Sequence, residues 1–322
     1  MQLDLLIQNL SNPALLFFIL GIIAVYVKSD LEIPANSSKF ISLYLLFAIG
    51  FKGGQALKTE SFTLEIAGTM GLGIVVSLLI PIFTFFVLKR RMSVYDAGAI
   101  SAAYGSVSAV TFITGVAYLE SMELTMRGYM VAIMALMEAP AIIAGLMLIQ
   151  LYKTDNSGPK IKKRDIISHS LTNGSVLLIL GSLIIGMLAD SKQAEGIKPF
   201  TNELFAGFLA IFLLDMGIES GRKLKAMIQF GWYPFVFAIV IPIINGVVFG
   251  LLSTLIITDL TSQFMFAVLA ASASYIAVPA AMKITVPQAN PGLYLPMALA
   301  VTFPFNITFG MPLYFMVLSA VQ

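Results

Sequence analysis

Two short stretches place hydroxyls, small residues and a glycine or proline inside otherwise apolar sequence. They are YGSVSAVTF (Tyr104 to Phe112) and ASASYIAVP (Ala271 to Pro279). Ser106 and Ser108 of the first fall on Ser272 and Ser274 of the second, at a common offset of 166 residues. A helix interrupted at such a place presents free N–H groups and the positive end of its dipole, which suits an anion. Gly105, Ser106, Val107 and Ser108 are the candidate binding residues of the first stretch, and Ser272, Ala273, Ser274 and Tyr275 those of the second. These side chains leave a tight, uncharged pocket with Tyr104 and Tyr275 as walls, better matched to a small inorganic anion than to a sugar or steroid. Gly, Ala and Ser in apolar helices also serve close helix packing. Two matched stretches weigh against that reading. Irregular backbone survives in hydrocarbon only where protein, water or a ligand satisfies it.

Ionisable residues inside apolar segments are the second signal, because their cost makes them functional candidates. Glu138 lies two residues before Pro140, and its counterpart is Thr302, two residues before Pro304, with Asn306 one turn further on. Glu138 is a candidate carboxylate ligand for a cation, with Thr111, Thr302 and Asn306 as neutral oxygen ligands; the competing reading is a Glu that locks helices together or stays protonated. Asp215 and Asp96 are weaker candidates. Lys52 and Glu219 occupy equivalent places in the two halves and read as snorkelling or structural as readily as functional. There is no cysteine and a single histidine, His169. No zinc-protease, P-loop or nucleophile-elbow motif is present, so neither an enzyme nor an ATP-driven pump is expected, and no cofactor.

The elements that must position these residues are membrane helices. The chain is 58% hydrophobic and 11% charged, against about 25% charged in a soluble domain. Ten apolar stretches are long enough to span a bilayer, at roughly 10–27, 37–57, 65–88, 96–118, 128–152, 169–189, 200–221, 227–256, 262–283 and 292–319. The first is read as a retained helix, since no basic segment and cleavage site mark a signal peptide. Fourteen of the nineteen Lys and Arg residues fall in the odd-numbered connections, which are therefore expected in the cytoplasm with both termini outside.

Ordered matches point to an internal repeat. Pro34 matches Pro199, Gly54 matches Gly221, Ile80-Pro81-Ile82 matches Ile241-Pro242-Ile243, and Pro140 matches Pro304, all at offsets of 161 to 167. Five helices per half make the halves inverted copies, residues 1–152 and 169–322, joined by the basic linker 153–168. The expected fold is an all-α integral membrane protein: ten transmembrane helices in a five-plus-five inverted repeat, with helices 4 and 9 discontinuous. Matched broken helices are the best pointer from sequence to the binding site of a secondary transporter.

These residues resemble the sodium-dependent bicarbonate transporters of the SbtA type, known best from cyanobacteria. The similarity runs over essentially the whole chain. It is most specific at AYGSVSAVTF (Ala103 to Phe112), LMEAPA (Leu136 to Ala141) and ASASYIAVPAAM (Ala271 to Met282), with support from LLFAIGFKGG (Leu45 to Gly54). The resemblance implies that helices 4 and 9 cross in a core domain with helices 3, 5, 8 and 10, beside a gate or scaffold domain of helices 1, 2, 6 and 7. It further implies a homotrimer in a bacterial inner membrane and sodium as the coupling ion for bicarbonate. Cyanobacterial members bind a trimeric PII-like regulator (SbtB) on the cytoplasmic side; the short basic linker here departs from the longer one expected in those members.

The leading expectation is sodium-coupled uptake of bicarbonate by alternating access. The alternatives are a sodium- or proton-coupled carrier of another small anion such as a short carboxylate, and a transporter-like anion sensor.

Overall fold

A computed structural model of the chain describes residues 12–153 and 174–322. The linker beyond Lys153, His169 and the outer ends of predicted spans 1 and 6 lie outside the described residues. Among the described residues the structure is all-helical, without strands. Helices α1 (Pro13–Tyr26), α2 (Ala35–Thr59), α3 (Leu64–Leu88), α4 (Val94–Gly105), α5 (Ala109–Ser121) and α6 (Tyr129–Tyr152) precede the linker. After it come α7 (Gly174–Leu188), the short α8 (Ser191–Lys198), α9 (Phe205–Ile228), α10 (Trp232–Ser253), α11 (Leu260–Ala271) and α12 (Ala277–Thr285). The last predicted span is built from α13 (Pro291–Pro296), α14 (Phe303–Phe305) and α15 (Met311–Ser319), joined by π-helical turns at Met297–Thr302 and Asn306–Gly310.

Among the described residues, seven helical stretches are long and apolar enough to cross a bilayer, and three shorter apolar ones fall on predicted spans 1, 6 and 9. The chain is thus a multi-pass membrane protein. Polar N-caps start the helices where apolar sequence begins. The Ser93 and Asp259 side chains accept the N–H groups of Asp96 and Ser262, each at 3.0 Å, at the starts of α4 and α11. The outer face of α10 carries Val236, Val240, Ile244, Val248 and Leu252, all 42–45% exposed and four residues apart. That stripe is suited to lipid.

Glycines set the closest helix contacts. In α1, Gly21 lies against the backbone of α9 at Leu214, Gly217 and Ile218. In α2, Gly54 lies against Leu183 and Gly186 of α7. A Cβ on any of Gly21, Gly54, Gly186 or Gly217 would strike a carbonyl oxygen of the facing helix. Helix α1 therefore packs on α9, and α2 on α7. These contacts pair Gly21 with Gly217 and Gly54 with Gly186, while Gly221, matched to Gly54 from sequence, faces the Val25 side chain.

Helices α3 and α10 continue through Pro81 and Pro242. A proline removes the N–H that would satisfy the carbonyl four residues back. For Pro242 that carbonyl is Ala238, and the Thr302 hydroxyl donates to it at 2.7 Å. The π turns of the last span lie among Pro296, Pro304 and Pro312. Wider turns of this kind accommodate residues that cannot donate into a regular ladder.

Candidate functional site

The helical backbone is interrupted at both serine-rich stretches. The first leaves Ser106 to Ser108 between α4 and α5, and the second leaves Ser272 to Ile276 between α11 and α12. At the first, Ser108 caps α5, its hydroxyl accepting the Thr111 N–H at 3.2 Å. At the second, the Ser274 hydroxyl sits 3.4 Å from the Val278 N–H, within the first turn of α12. The two breaks clip each other. The Ser108 N–H donates to the Ser272 hydroxyl at 3.0 Å, and the Ser274 N–H donates to the Ala103 carbonyl at 2.8 Å. The Ser272 hydroxyl in turn donates to the Leu269 carbonyl at 2.8 Å.

Two residues reach the breaks by routes not evident in sequence. Gly105 is the last helical residue of α4, and the ring of Pro81 occupies the space that a Cβ there would take, with Ala141 Cβ 3.2 Å away. Its requirement is close packing at the break rather than an unusual backbone angle. Pro279 stands at the third position of α12, where a missing N–H breaks no intrahelical bond. It starts the second half-helix instead of interrupting one.

Between the breaks lies a cavity of about 30 Å³. A water needs about 10–15 Å³ of such space, so the cavity holds about two waters or a comparably small ion. Ser108, Ala109 and Val110 bring the first turn of α5 to its wall, and Ile276 and Ala277 bring the start of α12. Two positive helix ends therefore open on one small space. Val107, Ser274 and Tyr275 complete that part of the wall, and Glu138 faces it from α6. Among the described residues Glu138 is the only carboxylate on the wall, and no Lys, Arg or His joins it there. An anion held there by helix ends alone would meet a like charge. A cation beside Glu138, or a proton on it, would remove that conflict.

The other residues singled out from sequence lie around this space rather than on it. The Ser106 hydroxyl donates to the Glu138 main-chain carbonyl at 3.3 Å, joining the first break to α6. Ser272 and Ala273 are buried in the clip. Thr111 is buried in α5 behind the Ser108 cap. The Thr302 hydroxyl joins the Tyr104 hydroxyl at 2.7 Å to the Ala238 carbonyl. Asn306 donates through Nδ2 to the Ala271 carbonyl at 2.9 Å, and its Oδ1 lies 2.9 Å from the Tyr314 hydroxyl. Asn306 thus satisfies a carbonyl left free at the C-terminal end of α11. Of the four cation-ligand candidates, the structure brings only Glu138 to the cavity. No group of three or more His, Cys, Asp or Glu side chains gathers among the described residues, so a cation here would rest on Glu138 and neutral oxygens.

Ser42 was missed from sequence. It lines this cavity and also a larger vestibule of about 590 Å³ that reaches Tyr275 and Ile276. The vestibule runs between the first half of α2, at Ser38, Lys39 and Ser42, and α9, at Asp215, Glu219 and Arg222. There the Ser38 hydroxyl donates to the buried Asp215 carboxylate. Three serines in the stretch NSSKFIS (Asn36 to Ser42) were the available signal.

A model of the Na+-dependent bicarbonate transporter superfamily matches residues 13–319 of the chain. No curated protein shows significant similarity to it.

Proposed function

The chain belongs to the Na+-dependent bicarbonate transporter superfamily, and from that premise we propose that it is a secondary symporter carrying bicarbonate into the cell with sodium by alternating access. The observation that carries the proposal is the small cavity where the first turns of α5 and α12 meet Glu138. Bicarbonate is a planar anion of four heavy atoms. N–H groups and hydroxyls at two helix starts can replace its water without a cationic side chain. In this reading Ser108, Ser274 and the adjoining backbone of Val107 and Tyr275 hold the anion, and Glu138 holds sodium. Thr111, Thr302 and Asn306 shape the space, because the hydrogen bonds described above already engage Thr302 and Asn306. A strict one-to-one symport is electroneutral, so it draws on the sodium gradient and not on the roughly 2.3 kcal/mol per charge that 100 mV supplies.

Alternating access would follow from a five-plus-five inverted repeat of ten crossings. The exchanged contacts α1–α9 and α2–α7 support it, as do the matched breaks. A core of α3–α6 and α10–α15 would move against a scaffold of α1, α2, α7 and α9. A homotrimer in a bacterial inner membrane, built through the scaffold helices with both termini outside, completes the proposal. Docking of a PII-like regulator would involve the linker, which lies beyond the described residues.

The test is uptake of labelled bicarbonate into proteoliposomes, with an inward sodium gradient or with choline in its place. Uptake should require sodium and resist competition by acetate or sulfate. Sodium-insensitive uptake would point to proton coupling, and strong competition by acetate to a carboxylate carrier.

A further inference from the structure

We propose that Lys52 and Glu120 form a latch closing the translocation path on the side away from the vestibule, one that must part before the cavity can open there. The proposal rests on the transport reading above and adds to it the residues that seal the far side. Helix α2 runs from the vestibule to the ion pair. Its first half, at Ser38, Lys39 and Ser42, lines the vestibule. Lys52 lies thirteen residues beyond Lys39, about 20 Å further along the helix axis. There its Nζ is 2.6 Å from Glu120 Oε1 and 5.1 Å from the centre of the Phe205 ring.

Glu120 is the next-to-last residue of α5, the helix whose first turn lines the cavity. The ion pair therefore joins the vestibule helix to the far end of a substrate-site helix. Around it α2 meets the start of α6 with no space between. A Cβ on Gly128 would strike the Gly53 carbonyl, and one on Gly53 would lie 2.6 Å from the Val131 side chain. Glu60 accepts the Gly128 N–H at 3.3 Å. Helix α2 is thus pressed onto α5 and α6 at one end, while at the other it borders the vestibule, where Ser38 still bonds Asp215 of α9.

The pair is built to release. Lys52 and Glu120 side chains are 27% and 41% exposed, and ion pairs of that exposure hold weakly. The arrangement is also asymmetric. Glu120 sits at the negative end of the α5 dipole, so Lys52 offsets both that carboxylate and the helix end. Removing Lys52 leaves two negative groups together, whereas removing Glu120 leaves Lys52 beside a helix end that still attracts it. Lys52→Met should therefore loosen the far side more than Glu120→Gln.

The protein has no cysteine, which makes thiol chemistry clean. In Lys52→Cys with Glu120→Cys, a short bis-methanethiosulfonate reagent should cut sodium-dependent bicarbonate uptake at least tenfold. Reductant should restore it, and each single-cysteine variant should be insensitive to the reagent. Full uptake with the bridge in place would overturn the latch. Absence of uptake in the parent protein would instead overturn the transport reading, and a second measurement then still judges the latch. A cysteine replacing the buried Val131 at the α2–α6 contact should label with an impermeant thiol reagent about two- to fivefold faster with Lys52→Glu. The swap Lys52→Glu with Glu120→Lys should return labelling to the parent rate. Equal labelling in all three backgrounds would refute the proposal.

Discussion

Ser272 and Ser274 look interchangeable in sequence, yet the geometry gives them opposite duties, and Ser272→Ala against Ser274→Ala separates them. The Ser272 hydroxyl is fully buried and is the acceptor for the Ser108 N–H at 3.0 Å. Alanine there takes away the acceptor of that buried N–H. An unsatisfied buried donor costs about 1–3 kcal/mol. The Leu269 carbonyl loses less, because the Ser272 N–H still reaches it at 3.2 Å. The Ser274 hydroxyl accepts only the distant Val278 N–H, at 3.4 Å, but lies on the cavity wall. Its loss should leave the fold nearly intact and remove a hydrogen bond to a charged ligand, worth about 1.5–3 kcal/mol or ten- to hundredfold in affinity. The assay pairs thermal unfolding in detergent with bicarbonate uptake against concentration at matched protein levels. Ser272→Ala should lower the melting temperature, and Ser274→Ala should raise the half-saturating bicarbonate concentration with little change in melting. Exchanged effects, or none in either variant, would refute the reasoning.

Glu138→Gln should raise the sodium concentration for half-maximal uptake by a hundredfold or more. A full charge about 4 Å from sodium is worth about 4 kcal/mol at an effective dielectric near 20, and an amide oxygen recovers only part of it; unchanged sodium dependence would return Glu138 to a structural role. Gly105→Ala should impair folding through collision with the Pro81 ring, and adding Pro81→Ala should recover part of the loss in yield and melting temperature; equal defects in single and double variants would deny that contact. Asn306→Asp should be harsher than Asn306→Ala, since a carboxylate would face the Ala271 carbonyl where an amide N–H now donates; Tyr314→Phe should cost about 1 kcal/mol in unfolding measurements, the worth of one hydrogen bond.

The sites of the breaks were legible because Gly, Ser and Pro inside an apolar run carry a local signal that needs no partner. Locality also set the limit. Ser106 and Ser272 are equivalent by offset, but one hydroxyl donates to the Glu138 carbonyl while the other accepts the Ser108 N–H. A hydroxyl can do either, and only the neighbouring chain decides. Thr302 reads from sequence as an oxygen ligand. Its duty to the carbonyl that Pro242 frees is set by a contact 64 residues away. Gly105 reads from sequence as a binding residue, but the Pro81 ring that defines its role belongs to another helix. The same holds for Ser42, whose importance depends on lying between two cavities that no single stretch encodes.

The exchanged glycine contacts bear on how the chain is made. Gly54 of α2 waits for Gly186, and Gly21 of α1 waits for Gly217, 196 residues later. At about 5–20 residues per second, the ribosome needs about 10–40 s to deliver that partner. During this interval α1 and α2 stand in the bilayer with their small-residue faces uncovered, held by lipid or by whatever insertion factor is at hand. The contacts of α1 and α2 therefore close only after the later helices α7 and α9 arrive. A ribosome stalled anywhere before α7 would release a product that is inserted but unpaired, and quality control would meet it as a bare glycine stripe.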